Sequence, residues 1–353
     1  MISKKISQLV MIAVLATGSN ALAGQRFSVE DWAKSFKASL TEKSGKKTLN
    51  LLDFKTLEAK SISACVDCDS KTNLEKARTL FAKGQYDKAL ELYNKIPKGS
   101  DYWFQAVEEK GWAHFRQNNV EKALAQSKTL ISPQFSEVVN SEAFFLQSLA
   151  QLKICDYKSI FETHQMFKDK QRNRIAEVQT LAQEGFNDAF LNALKKADKF
   201  PLDAAEVGES LAHMPVLYYK DTELQRQMLK FKVSQKAMEI LRDNGSQAKL
   251  QEQLDNINQG AFLKMKARLK VLAASETADN KRIIGKLNLV EVEAIQRIHT
   301  DQSLDQASFT TNKFKKVGED QLVFMDDGRP WIDELDKYDV ATKACPQNVR
   351  RKM

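Results

Sequence analysis

The sequence predicts an all-α fold: helical hairpins stacked in a row, then long antiparallel helices, then a small C-terminal β-hairpin. Three observations carry this. Only 13 glycines and 6 prolines punctuate 353 residues, and so few turn residues favour long helices over many short strands. Apolar residues recur at steps of three and four through most of the chain. One phrase is also written twice: GQYDKALELY from Gly84 returns 34 residues later as NNVEKALAQS from Asn118.

The first residues read as an address. Lys4 and Lys5 precede an apolar run, Leu9 to Ala16, and Ala21-Leu22-Ala23 ends it as an A-x-A cleavage site before Gly24. That is the pattern of a secretory signal peptide, residues 1–23. The run is too short to span a bilayer, although an uncleaved N-terminal anchor is the alternative. Gln25 stands where a lipid-bearing cysteine would be needed, so the expectation is a soluble periplasmic protein, cleaved after Ala23 and not lipidated. The formal charge is +8, from 54 basic and 46 acidic residues. Without Lys4 and Lys5 it becomes 52 against 46, or +6. The charges are interspersed, which suits a solvated surface and gives no reason to expect nucleic acid.

Residues 24–70 form an N-terminal segment that ends near CVDC, Cys65 to Cys68. Haem attachment needs a histidine after the second cysteine, and Asp69 is there. Thr72-Asn73-Leu74-Glu75 reads as a capping box, which starts a helix at Thr72 and leaves the motif outside its N-terminus. A structural disulfide fits an oxidising compartment better than redox catalysis. Four cysteines allow three pairings, and the arrangement favoured is Cys65 with Cys68 and Cys155 with Cys345.

Residues 71–168 hold the repeat. Leu74, Ala77, Leu80 and Phe81 line a first helix, Gly84-Gln85 breaks it, and Ala89, Leu90, Tyr93 and Ile96 line a second, which Pro97 stops. The next copy, Lys110 to Leu124, supplies small residues at Gly111 and Ala123 where helices approach. A third, Phe144 to Phe167, puts Cys155 where Gly84 stood. It arrives 37 residues after the second, so a longer loop is expected around Ser132-Pro133-Gln134. Periodicity of this kind resembles that of tetratricopeptide-repeat proteins, in particular exported ones of Gram-negative bacteria. The resemblance covers Asn73 to Phe167. It implies a concave surface lined by the first helix of each hairpin, carrying Arg78, Phe81, Glu108, Trp112, Phe115, Arg116, Phe145, Leu149 and Lys153. Of these, Arg78, Glu108, Trp112, Arg116, Phe145 and Lys153 are the candidate partner contacts. The competing roles are that the rings form core, and that later helices fold back and fill the groove.

Residues 169–220 read as further helices bounded by Pro201 and Pro215. From Asp221 to Lys316 the helices lengthen. Asp243-Asn244-Gly245-Ser246 is a turn, and Leu250, Leu254, Ile257, Ala261, Met265, Leu269 and Leu272 follow near-heptad steps. A break is expected at Ser275 to Asn280, then a stripe of Ile284, Leu287, Ala294, Ile295 and Ile298. An antiparallel hairpin or bundle is favoured over an intermolecular coiled coil, although the long helices leave homo-oligomerisation open. In residues 317–353, Asp327-Gly328 between two apolar runs signals a β-hairpin. Its ending resembles those of some exported repeat proteins, and a cap over the helical array is its favoured role.

No catalytic constellation is legible. His114, His164, His213 and His299 are scattered singly, no two at the spacing that puts both on one helical face for a metal. There is no G-x-S-x-G and no phosphate-cradling loop. No cofactor and no metal are expected. The sequence therefore points to a non-enzymatic scaffold or adaptor that holds another envelope protein. The alternatives are a cell-wall or anionic-ligand binder and, less favoured, a C-x-x-C redox protein.

Overall fold

The computed structural model describes residues 26–41, 45–62, 67–243 and 248–300. The signal peptide, Cys65, the turn at Asn244 to Ser246, the C-terminal β-hairpin and Cys345 lie outside the described residues. The described chain is all-α, with thirteen α-helices, two short 3-10 turns and a single pair of two-residue strands. It divides into two compact units.

Of the described residues, the first unit holds those from 26 to 72, 97–101 and those from 173 to 279. Strand β1 (Phe27–Ser28) pairs antiparallel with β2 (Lys199–Phe200), with Phe27 opposite Phe200. Helix α1 (Val29–Thr41) follows at once. The Ser28 hydroxyl accepts the Asp31 N–H, and the Asp198 carboxylate accepts the Glu30 N–H. Two of the orphan donors at the helix start are thereby satisfied. Val29, Trp32, Ala33 and Phe36 fall on one face at steps of three and four and are buried. The Trp32 indole N–H donates to the Leu51 carbonyl, 2.9 Å away, which joins α1 to α2 (Gly45–Leu51). Helix α3 (Phe54–Ile62) packs on the later helix α12 (Thr222–Asp243). Residues 24–70, which read as a segment of their own, thus share one core with Val178, Leu181, Phe190, Phe200, Leu224 and Leu229.

Helix α12 and helix α13 (Ala248–Thr300) run antiparallel within this unit. Arg268 forks onto Asp221 at 2.9 and 2.7 Å, and Asn258 donates to the Phe231 carbonyl and to Ser234, both at 3.0 Å. Leu254, Ala261, Met265 and Leu269 of the near-heptad stripe are buried here, so in this chain the stripe faces its own core. The expected break at Ser275 to Asn280 does not occur; α13 runs through it. No glycine or proline interrupts that stretch. Two of its side chains instead have partners remote in the chain: Glu276 forms an ion pair with Arg174 and accepts the Val216 N–H, and Asn280 accepts from Ser141.

Of the described residues, the second unit holds 73–96, 102–172 and 280–300. Its helices are α4 (Cys68–Ala82, from residue 73), α5 (Tyr86–Tyr93), α6 (Trp103–Arg116), α7 (Val120–Leu130), α8 (Glu142–Lys153), α9 (Tyr157–Glu184, to residue 172) and the end of α13. They make three consecutive hairpins, and the repeated phrase is visible as one repeated turn. Gly84, Asn118 and Cys155 all adopt left-handed backbone, with φ of 73°, 65° and 61°. After each, the next residue's N–H reaches back five residues: Gln85 to Leu80, Asn119 to His114, Asp156 to Gln151. This 6→1 bond closes a helix at a left-handed C′ residue. Asn119 and Asp156 then cap the following helices through Lys122 and Ser159.

Gly111 is small for a structural reason. A Cβ there would stand 2.6 Å from the Leu146 Cδ2. Ala123 is fully buried. The longer loop between α7 and α8 is not surface padding, since Phe135 and Val139 are buried and Gln171 donates to the Ser136 and Val139 carbonyls.

The capping-box reading at Thr72 is overturned, because α4 begins at Cys68. The second cysteine of CVDC therefore opens the helix, and Thr72 lies inside it. Cys68 and Cys155 are both in the disulfide form, and their pairing lies outside the described residues.

Candidate functional site

The first helices α4, α6 and α8 bring the predicted contacts into one neighbourhood, but not all of them as free groups. Arg78 is bound bidentately to Glu109 of α6, with its Nε and Nη2 donating at 2.8 and 2.6 Å to one carboxylate oxygen. The other oxygen accepts from the Tyr93 hydroxyl at 2.8 Å. A fork of this kind fixes geometry as well as charge, so Arg78 stitches the first hairpin to the second. Glu109 and Tyr93 are not among the contacts that the sequence predicts. Their signal is the 31-residue offset of Arg78 and Glu109, close to one repeat length.

Glu108 is partly buried rather than freely displayed. Burial, then the nearby Glu142 and Glu109 carboxylates, push its pKa up to about 8, against a smaller pull from Arg78. Its carboxyl is largely protonated at neutral pH and offers an O–H rather than a charge. His114, on the same helix, moves the other way. Burial and the ammoniums of Lys122 and Lys110 bring its pKa down to about 4, so it is neutral.

Trp112 packs edge-on to Phe115 and tilted to Phe145, each with centroids 5.9 Å apart. Its indole nitrogen is shielded from solvent and has no hydrogen-bond partner. Phe145 is buried on its other side too, because the Lys286 ammonium of α13 stands 5.0 Å from its ring centroid. Lys153 stands likewise over Phe115. Cations over ring faces gain from the ring quadrupole. Arg116 is exposed at the end of α6. The rings thus form a packed aromatic seam, and α13 occupies its α8 end; the cationic groups rim it.

The first unit has a cleft of about 830 Å³ between α9, α10 (Asp188–Lys196) and residues 207–213. His213, read as an isolated histidine, sits on its rim with Nδ1 2.5 Å from Glu177, both half exposed. The Asn187 amide holds the His213 carbonyl at 3.2 Å. Asp188, Asn192, Lys196 and Glu209 complete a mixed polar lining. Glu177 and His213 are 36 residues apart, and no local spacing announces them. Among the described residues no group of three His, Cys, Asp or Glu side chains converges on a metal-sized site. No described helix is long and apolar enough to cross a membrane.

Comparison with known proteins adds no identity: no family model, curated protein or solved structure matches this chain.

Proposed function

We propose that this protein is a non-enzymatic, exported scaffold of the TPR-like kind, which holds another protein of the cell envelope on the first helices of its hairpin array. The observation that supports this reading is the threefold turn at Gly84, Asn118 and Cys155. It stacks α4, α6 and α8 as neighbours and lines up a seam of rings edged by Arg116 and Lys153. Such surfaces suit protein contact because rings supply area at low entropic cost and guanidinium groups supply direction. Lys286 already covers Phe145, so the contact surface is the α4 and α6 end of the seam, where Arg116 is exposed. Export rests on the Lys4–Lys5, Leu9–Ala16 and Ala21–Ala23 pattern.

The test is a photo-crosslinking residue at position 116 in cells, beside a peptidoglycan sedimentation assay with purified protein. A discrete adduct with an envelope protein supports the reading. Sedimentation with peptidoglycan and no protein adduct at position 116 replaces it with a cell-wall binder.

A further inference from the structure

The end of α13 enters the hairpin array in a particular place. Asn280 accepts from Ser141 at 2.6 Å, Lys286 stands over Phe145, and Arg297 reaches the Leu152 carbonyl at 3.4 Å. These contacts ascend together along both helices, so α13 runs parallel to α8. Glu291 meets His164 of α9 at 3.1 Å. Ile283, Leu287, Val290 and Ala294 are buried. A helix parallel to α8 and packed on both members of the third hairpin occupies the position of the first helix of a fourth. The three earlier first helices are each followed by a second helix. Helix α13 is the last helix of the described residues, and its outward side carries three exposed apolar side chains among polar ones: Leu289 is 69% exposed, Val292 51% and Ile295 41%. The open end of a stacked helical array needs a cover.

We propose that residues 317–338 of the same chain provide that cover by lying along Leu289, Val292 and Ile295, with a Cys155–Cys345 disulfide holding them there. Three observations select this occupant. The segment begins 17 positions beyond Thr300, the last residue of α13, and carries Leu322-Val323-Phe324-Met325 and Trp331-Ile332. Leu289 to Ile295 spans about 9 Å of helix, and a four-residue extended apolar run covers about 13 Å. Cys155 is in the disulfide form and lies three residues beyond Leu152, beside which α13 approaches its end. A tethered segment also acts at an effective concentration of about millimolar, which a second copy or a free partner does not reach at cellular abundance. The proposal does not depend on what the array binds.

The experiment places a benzophenone side chain at Val292, or at Leu289 if the first variant folds poorly, in the mature full-length chain. Unlabelled and nitrogen-15-labelled chains are mixed before irradiation, and crosslinked peptides are mapped without reduction. The expected result is an adduct between position 292 and residues 317–338 of one isotopic composition, a Cys155–Cys345 peptide pair, and several-fold less adduct in Cys155→Ser. Adducts of mixed isotopic composition overturn the proposal in favour of a second copy. A Cys155–Cys65 pair, or no adduct with residues 301–353, also overturns it.

Discussion

The Lys286 ammonium stands 5.0 Å above the centre of the Phe145 ring, although 141 positions separate the two residues. The chain leaves the hairpin array after α9, builds most of another unit, and returns through the end of α13 to lie on α8. The row of rings expected to line a groove along α4, α6 and α8 is thus covered at its α8 end.

Two helix glycines should answer oppositely to alanine. Gly111→Ala drives a Cβ against the Leu146 Cδ2, and overpacking of this kind costs about 1–3 kcal/mol. At Gly260 nothing stands within 4 Å of where an added methyl would sit, so Gly260→Ala gains about 0.5–1 kcal/mol of helix propensity. Urea unfolding of both variants checks the signs.

Stability should fall as pH rises from about 4.5 through 8, on account of Glu108. Its folded pKa is raised to about 8 by burial, Glu142 and Glu109. The native state therefore holds a proton there that the unfolded chain releases near its ordinary value. The stabilisation is full below the unfolded pKa and lost through the folded one. Glu108→Gln should flatten this slope, as read by melting temperature against pH. On the acid side His114, lowered to about 4, loses stability as pH falls from about 6.5, and His114→Gln should flatten that limb.

Arg174 is 3% exposed and bridges Glu276 at 2.5 Å while donating to the Met214 carbonyl. Glu276→Ala leaves that guanidinium buried without its counter-ion, a loss of about 3–5 kcal/mol. Arg174→Met with Glu276→Leu should recover most of it. Chemical denaturation of the three proteins measures the difference.

The parts legible in the sequence are those encoded by neighbours. The turn at Gly84 and Asn118 follows from a left-handed position and a cap within a few residues, and Leu254, Met265 and Leu269 show their buried face through local spacing. The illegible parts depend on distant partners. Phe27 pairs with Phe200, and Asp198 caps a helix 168 residues earlier. Glu276 and Asn280 read as a break because their partners, Arg174 and Ser141, come from remote helices. Thr72 and Glu75 carry a capping pattern that α4 ignores by starting four residues sooner. In the site, Arg116 is placed only by what the resemblance to tetratricopeptide repeats implies. The protonated state of Glu108 could not be read from the sequence, because it depends on Glu142 from the next hairpin.

The most direct measurement compares Arg116→Glu with Trp112→Ala for partner capture and thermal melting. Arg116 is exposed, so its reversal should abolish capture of the envelope protein and leave stability within about 0.5 kcal/mol. Trp112 is wedged against Phe115 and Phe145, so its truncation should lower stability toward the lower end of the ~3–5 kcal/mol range for emptied aromatic sites. Undiminished capture by a well-folded Arg116→Glu protein would contradict the assignment of this surface to partner binding.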